Sequence, residues 1–130
     1  MNLRATFDTC VSRSSNLQTI EGVTLDEAVR LVDALDGSIH TEVLFELNKG
    51  TLTVSGGSGQ YFVSAFTEDE ESYVLPAAIT TSTGSVKLTI GGQPALLPSW
   101  KVVSRDEAID AIRSFTDGTI DFNKGWKLDE

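Results

Sequence analysis

Two capping boxes, one at each end of the chain, constrain its fold more than any other feature. Thr24 is followed by Glu27, and Ser104 by Glu107. In that spacing a hydroxyl and a carboxylate satisfy the first free N–H groups of a helix. Behind the first box, Leu25, Ala28, Val29, Val32 and Leu35 recur at helical spacing before Gly37. Behind the second, Ala108, Ile109, Ala111, Ile112 and Phe115 do the same before Gly118. The pattern predicts two helices, over about 24–36 and 105–117, each closed by its glycine.

The rest of the chain reads as short strands. Leu3, Ala5 and Phe7 alternate with Arg4, Thr6 and Asp8, which is strand periodicity. Residues 12–16 are polar and turn-like, and 17–20 form a short extended piece. Val43, Phe45 and Leu47 alternate across residues 42–48, and Asn48-Lys49-Gly50 turns the chain into a second strand at 51–55. Gly56-Gly57-Ser58-Gly59 reads as a flexible link into a strand at 60–66. Further strands are expected at 73–78 and 86–90. Pro94 and Pro98 make residues 93–103 an edge strand or an irregular segment. Ile120, Phe122 and Trp126 supply apolar surface for the tail to dock as a last strand. Two helices on a mostly antiparallel sheet is an α+β architecture, and 130 residues suit a single domain spanning 1–130.

With hydrophobic residues at 40% and charged residues at 22%, a sizeable core is expected. Ten Lys and Arg against nineteen Asp and Glu leave a net charge of -9. Such a field repels phosphate backbones and anionic lipid, so direct nucleic-acid or membrane binding is not expected. A basic protein partner is. The first residues lack the apolar region of a secretion signal, and no apolar run approaches the roughly 20 residues of a membrane span. A cytoplasmic location is therefore expected.

Few residues could carry chemistry. Cys10 and His40 are each the sole residue of their kind. A single cysteine forms no internal disulfide, and the pair cannot make a zinc shell without several carboxylates. A small hydrolase using Cys10 or His40 is the alternative of another class; no catalytic residue, metal or cofactor is assigned. The Gly56–Gly59 run lacks the Lys-Ser/Thr ending and following helix of a phosphate loop. Glu68-Asp69-Glu70-Glu71 lacks the ligand spacing of a calcium loop.

What remains is surface. Acids are spread over Asp33, Asp36, Glu42, Glu46 and the run Glu68, Asp69, Glu70 and Glu71. Complementary charge steers association with a basic partner. Tyr61, Phe62 and Tyr73 flank the run as candidate aromatic anchors. The expected contact set is Glu68, Asp69, Glu70, Glu71 and Tyr73, followed by Glu42 and Glu46. An acidic adaptor or chaperone for a basic non-toxin protein would use the same set.

One further pattern bears on function. Leu52-Thr53-Val54, the glycine run, Tyr61-Phe62-Val63, Gly91-Gly92-Gln93 and Leu97-Pro98 precede Val102-Val103-Ser104-Arg105-Asp106-Glu107-Ala108-Ile109. Phe115-Thr116-Asp117-Gly118 and a late Trp126 follow. Over roughly residues 51–126 this order resembles the first numbered family of immunity proteins from bacterial polymorphic toxin systems. The resemblance implies a small α+β domain that binds and neutralises a cognate toxin, often a nuclease or a nucleic-acid deaminase. It also implies structural roles for Phe115, Gly118 and a buried Trp126.

Overall fold

Period-two alternation makes each early strand two-faced, and pairing strands in register turns those faces into layers. The computed structural model describes residues 2–11, 14–78 and 84–129. Its strands are β1 (Arg4–Val11), β2 (Ser14–Ile20), β3 (Glu42–Leu47), β4 (Gly50–Gly57), β5 (Gln60–Thr67), β6 (Ser72–Val74), β7 (Ser85–Ile90), β8 (Gln93–Pro98) and β9 (Lys127–Leu128). Seven form one sheet in the order β2-β1-β3-β4-β5-β6-β9, while β7 and β8 make a separate hairpin. Every pairing is antiparallel.

Register explains the core. Ala5, Phe45, Leu52 and Ala65 lie side by side across β1, β3, β4 and β5, with Val43, Val54 and Val63 in the adjacent row. All seven are buried. Over them pack Ala28 and Val32 of α1 (Leu25–Asp33) and Ala108, Ile109, Ile112 and Phe115 of α2 (Arg105–Asp117). Each large side chain buried here contributes roughly 2 kcal/mol. Both capping boxes form as expected, with Thr24 accepting from the Glu27 N–H and Ser104 from the Glu107 N–H. The bidentate Arg105–Asp33 pair, at 2.6 and 2.9 Å, joins the two helices on their exposed side.

α2 ends at Gly118, whose φ of 80° is left-handed, as its sequence predicted. α1 stops earlier than expected, with Ala34 as a right-handed C-cap, three residues before Gly37. The carboxylate of Asp36 accounts for this. Its Oδ1 accepts from the N–H groups of Ser38, Ile39 and His40 at 2.9, 2.9 and 3.1 Å. The backbone N–H groups of Asp36 and Gly37 both donate to the carbonyl of His40. A side chain that collects local backbone donors offers the chain a competing structure, and here it closes a loop in place of another helical turn.

The glycine run is also not a link. Gly56 and Gly57 belong to β4 and are buried, leaving Ser58-Gly59 as a two-residue hairpin turn with both φ values positive, 56° and 87°. That is the turn whose twist matches the flanking strands. Gly57 bridges Asp36, and a Cβ on it would lie 2.6 Å from the Gly37 nitrogen and 2.7 Å from that of Asp36. Only glycine lets β4 run against the loop that follows α1.

Three other expectations change. Residues 14–16, expected as turn, are strand, because β2 pairs along β1 from Ala5↔Ile20 to Val11↔Ser14; residues 12 and 13 of that turn lie outside the described residues. β6 ends at Val74 rather than at 78: the Leu75 N–H still bonds the carbonyl of Val63, but Pro76 has no N–H to give and the Ala77 N–H crosses to Trp100. In the tail only Lys127 and Leu128 pair as strand, while Ile120, Phe122 and Trp126 pack as loop against the core. Pro94 and Pro98 do fall in a strand at an edge, β8.

Gly57→Ala is expected to destabilise the fold by about 3 kcal/mol, combining left-handed strain with a backbone collision. Gly59→Ala, with φ of +87° but open space around it, should cost about 1 kcal/mol. Urea denaturation of both variants measures the difference, and equal costs would rule out the close approach at Gly57.

Candidate partner-binding surface

The face of the sheet turned away from the helices has two halves. One lies under the β7–β8 hairpin. There Glu42, Ser55 and Phe62 align across β3, β4 and β5, and the pairing Phe7↔Val43 sets Asp8 next to Glu42. Asp8 is buried at 2% exposure and has no cationic partner among the described residues. Its charge is held by donors instead. Oδ1 accepts from the N–H groups of Thr41 and Glu42 at 2.7 and 3.0 Å, and Oδ2 accepts from the Thr41 hydroxyl. That hydroxyl oxygen in turn accepts from the Gly92 N–H, at 3.0 Å, at the tip of the hairpin. Leu88 of β7 is buried over Gly56.

The two carboxylates titrate in opposite senses. Burial pushes Asp8 up, but the bonds from the Thr41 side chain and from the Thr41 and Glu42 backbones more than offset it, leaving its pKa lowered. For Glu42, burial and then the charge of Asp8 push the pKa up, partly opposed by a hydrogen bond with Ser55.

Cys10 and His40 flank this cluster without joining each other. The Cys10 thiol lies 3.5 Å from Asp8 Oδ2 and 3.8 Å from the Ser15 hydroxyl. The His40 ring sits edge-on to Phe7 with centroids 6.2 Å apart. Its Nδ1 is 2.8 Å from the Asp8 carbonyl, which can only accept, so Nδ1 carries a proton. Among the described residues no hydrogen bond links thiol to imidazole, and no group of three His, Cys, Asp or Glu is placed to hold a metal.

The other half of the outer face is bare. One row runs Arg4, Glu46, Thr51, Phe66 and Ser72 across five strands, and the next runs Thr19, Thr6, Leu44, Thr53 and Ser64. Phe66 is 47% exposed on this surface, between Thr51 and Ser72 in its row. The turn that follows it presents Glu68, Asp69, Glu70 and Glu71, all exposed. It is a held turn: Thr67 donates to the Glu71 carbonyl, Glu70 to Thr67 and Glu68 to Lys49, with Glu70 at φ of 62°. Among the described residues neither these four acids nor Glu46 makes an ion pair. Arg4, the cation opposite Glu46, is taken by Glu21 at 2.7 Å.

Of the expected contact residues, the fold brings Glu46 and the Glu68–Glu71 run together around Phe66. It sends Glu42 to the covered half. Tyr73 is occupied: its hydroxyl donates to Glu71 at 3.1 Å, and its ring stacks on Phe122 at 4.8 Å. Phe122 meets Trp126 edge-on at 5.1 Å. Tyr61 is core, at 3% exposure, and Phe62 is half-buried. Trp126 is half-buried rather than buried, because the tail that carries it lies in the outer wall of a groove of about 570 Å³ beside α2. Phe115 is in the core beneath Lys49, whose ammonium lies 5.7 Å from the ring.

Sequence reasoning missed Phe66. The signal was present in the alternation: with Tyr61, Val63 and Ala65 inward, Phe62, Ser64 and Phe66 must point outward. Asp33 and Asp36, counted earlier with the acidic face, serve the fold through Arg105 and the 36–40 loop. No family model matches the chain, and neither does any curated protein or solved structure.

Asp8→Ala is expected to cost about 3 kcal/mol, since it strands buried donors of Thr41 and Glu42. The native state retains the Glu42 proton where the unfolded chain has released it, so stability falls as pH rises above the ordinary value of 4.5. For Asp8 the sign reverses, and stability falls as pH drops below the ordinary value of 3.8. Urea midpoints across pH should therefore peak in mild acid, and Glu42→Gln should flatten the decline on the alkaline side.

Proposed function

We propose that this protein is an immunity protein that binds a basic bacterial toxin domain, a nuclease or nucleic-acid deaminase, and blocks its active site or access to it. The observation that carries this reading is the bare half of the outer sheet face. An exposed aromatic, Phe66, has the uncharged Thr51 and Ser72 beside it and is rimmed by the carboxylates of Glu46, Glu68, Asp69, Glu70 and Glu71, none of which makes an ion pair among the described residues. That arrangement suits an aromatic anchor inside a charged rim. Enzymes that hold phosphates present cationic clefts, and a rim of carboxylates at net charge -9 can occupy one in place of the phosphates. The resemblance of residues 51–126 to immunity proteins points the same way.

The roles divide by chemistry. The carboxylates speed encounter, because long-range attraction acts before contact. Phe66 slows dissociation, because burying its ring removes apolar area from water. The rigid backbone of the β5–β6 turn lowers the ordering cost of binding.

In a sensitive host, the cognate toxin should arrest growth, and co-expression of this chain should restore it. Replacing Glu68, Asp69, Glu70 and Glu71 together by Lys is expected to slow association at least tenfold at low salt and to flatten its salt dependence. Phe66→Ala should instead raise the dissociation rate roughly tenfold, about 1.4 kcal/mol. Biosensor kinetics separate the two. Unchanged rates in both variants, or no rescue by the intact chain, would overturn the proposal.

A further inference from the structure

β2 is the outermost strand of the large sheet, and its free edge is unlike the others in the molecule. At the opposite end, β9 is two residues long and carries Lys127. In the separate hairpin, β7 carries Lys87 and β8 carries Pro94 and Pro98. Short length, lysine and proline are the devices that stop a sheet edge from pairing with another chain. β2 has none of them. Its seven residues, Ser14-Ser15-Asn16-Leu17-Gln18-Thr19-Ile20, include no charge, no Pro and no Gly. The register with β1 runs without a bulge along its whole length.

All seven residues are exposed, and Leu17, at 71%, is among the most exposed large apolar side chains of the described residues. Val11, Ile20 and Ile39, exposed at 56, 38 and 46%, belong to the same end of the sheet or the loop bonded to it through Cys10. An antiparallel strand bonded on one side turns the intervening N–H and C=O groups outward. Among the described residues, β2 pairs with β1 alone.

The order of side chains selects the occupant. About Leu17 the strand is symmetric in chemistry: an amide on each side, Asn16 and Gln18, then a hydroxyl on each side, Ser15 and Thr19. We infer that β2 pairs antiparallel with β2 of a second copy of this chain across a two-fold axis at Leu17. That register sets Asn16 opposite Gln18 of the second copy, Ser15 opposite its Thr19, and Leu17 opposite Leu17. Hydroxyl pairs and apolar pairs directly opposite one another stabilise a ladder, and a closed two-fold contact limits assembly to a dimer. It joins two seven-stranded sheets into one continuous sheet.

Charge leaves β2 open to this pairing. Each copy carries -9, so approach through the acidic turn or Glu46 would set like charges together, whereas β2 is neutral. The strand is about 24 Å long, and its ladder buries less than the roughly 1,200 Å² of the smallest standard interfaces. The dimer is therefore weak, concentration-dependent and strengthened by salt, which screens the repulsion between copies. A complex with a basic partner at the opposite side of the sheet weakens with salt, so the two associations are separable.

Sedimentation velocity of the intact chain, from micromolar to millimolar concentration and at two salt concentrations, tests the inference. The expected result is a reversible species of about twice the 14.0 kDa monomer mass, more populated at high salt. Leu17→Lys and Leu17→Glu each place like charges on the axis and should be monomeric at concentrations where the unaltered chain is mostly dimeric. Mixed in equal amounts, they should dimerise again, because Lys then faces Glu. The exposure of Leu17 leaves the monomer fold intact, and circular dichroism checks this. An unaltered chain that stays monomeric throughout, single variants that dimerise like it, or a mixture that stays monomeric would each overturn the two-fold pairing. Amide protection along β2 that appears only on adding a toxin partner would also overturn it, assigning the edge to that partner's strand.

Discussion

A carboxylate buried without a cation organises the outer layer of this protein. Asp8 gathers the Thr41 and Glu42 backbones and the Thr41 hydroxyl, and Thr41 passes the contact on to Gly92. One side chain thus ties β1 to the start of β3 and both to the hairpin tip. Burying a charge is costly unless donors replace its water, and here backbone N–H groups supply them. Those donors are usable only if the 36–41 loop takes one conformation. Asp36 imposes that conformation from the other side, by ending α1 early and folding residues 38–40 onto its own carboxylate. Gly57 then lets β4 run against the loop at backbone distance. Two aspartates and one glycine therefore hold the end of the sheet where helices, hairpin and strands meet.

That concentration of fixed structure at one end leaves the other end of the outer face free. The covered half holds Asp8, Ser55 and Leu88 out of solvent, and the bare half exposes Phe66, a threonine-rich surface and the turn of acids. The buried cluster that holds the fold and the surface proposed for recognition fall on separate halves of one sheet face. Acids in the first group serve folding through hydrogen bonds, whereas those around Phe66 make no ion pair among the described residues. The sheet also extends sideways beyond its helices in β2, where a neutral edge remains on a strongly acidic molecule.

Local signals carried much of this. The capping boxes at Thr24 and Ser104, the apolar faces behind them and the alternation in β1 and β3 were legible because each depends only on near neighbours in the chain. The α+β class followed from them. The errors fell where a competing local loop or a distant contact outweighed the preference read from the sequence. Gly37 looked like a helix stop, but Asp36 closed a loop first. The glycines at 56 and 57 looked like a link, but they are strand residues in backbone contact with that loop. Residues 14–16 looked like a turn, but pairing with β1 extends them. For the candidate surface, the acids were legible and their grouping was not. Glu42 and Glu46 are four residues apart on one strand, yet the hairpin covers the first and leaves the second open.

The sequence by itself determined the two capped helices, the alternating faces of β1 and β3, and the sign of the molecule's field. These follow from side-chain period, capping geometry and charge count, which do not depend on how the elements assemble. The tertiary structure alone decided which acids share a surface, that Phe66 rather than Tyr61 or Tyr73 stands exposed beside them, and that β2 is left at an edge. Those outcomes depend on which face the β7–β8 hairpin covers and on the order of strands in the sheet. Both are set by contacts between residues far apart in the chain, such as Thr41 with Gly92 and Asp36 with Gly57.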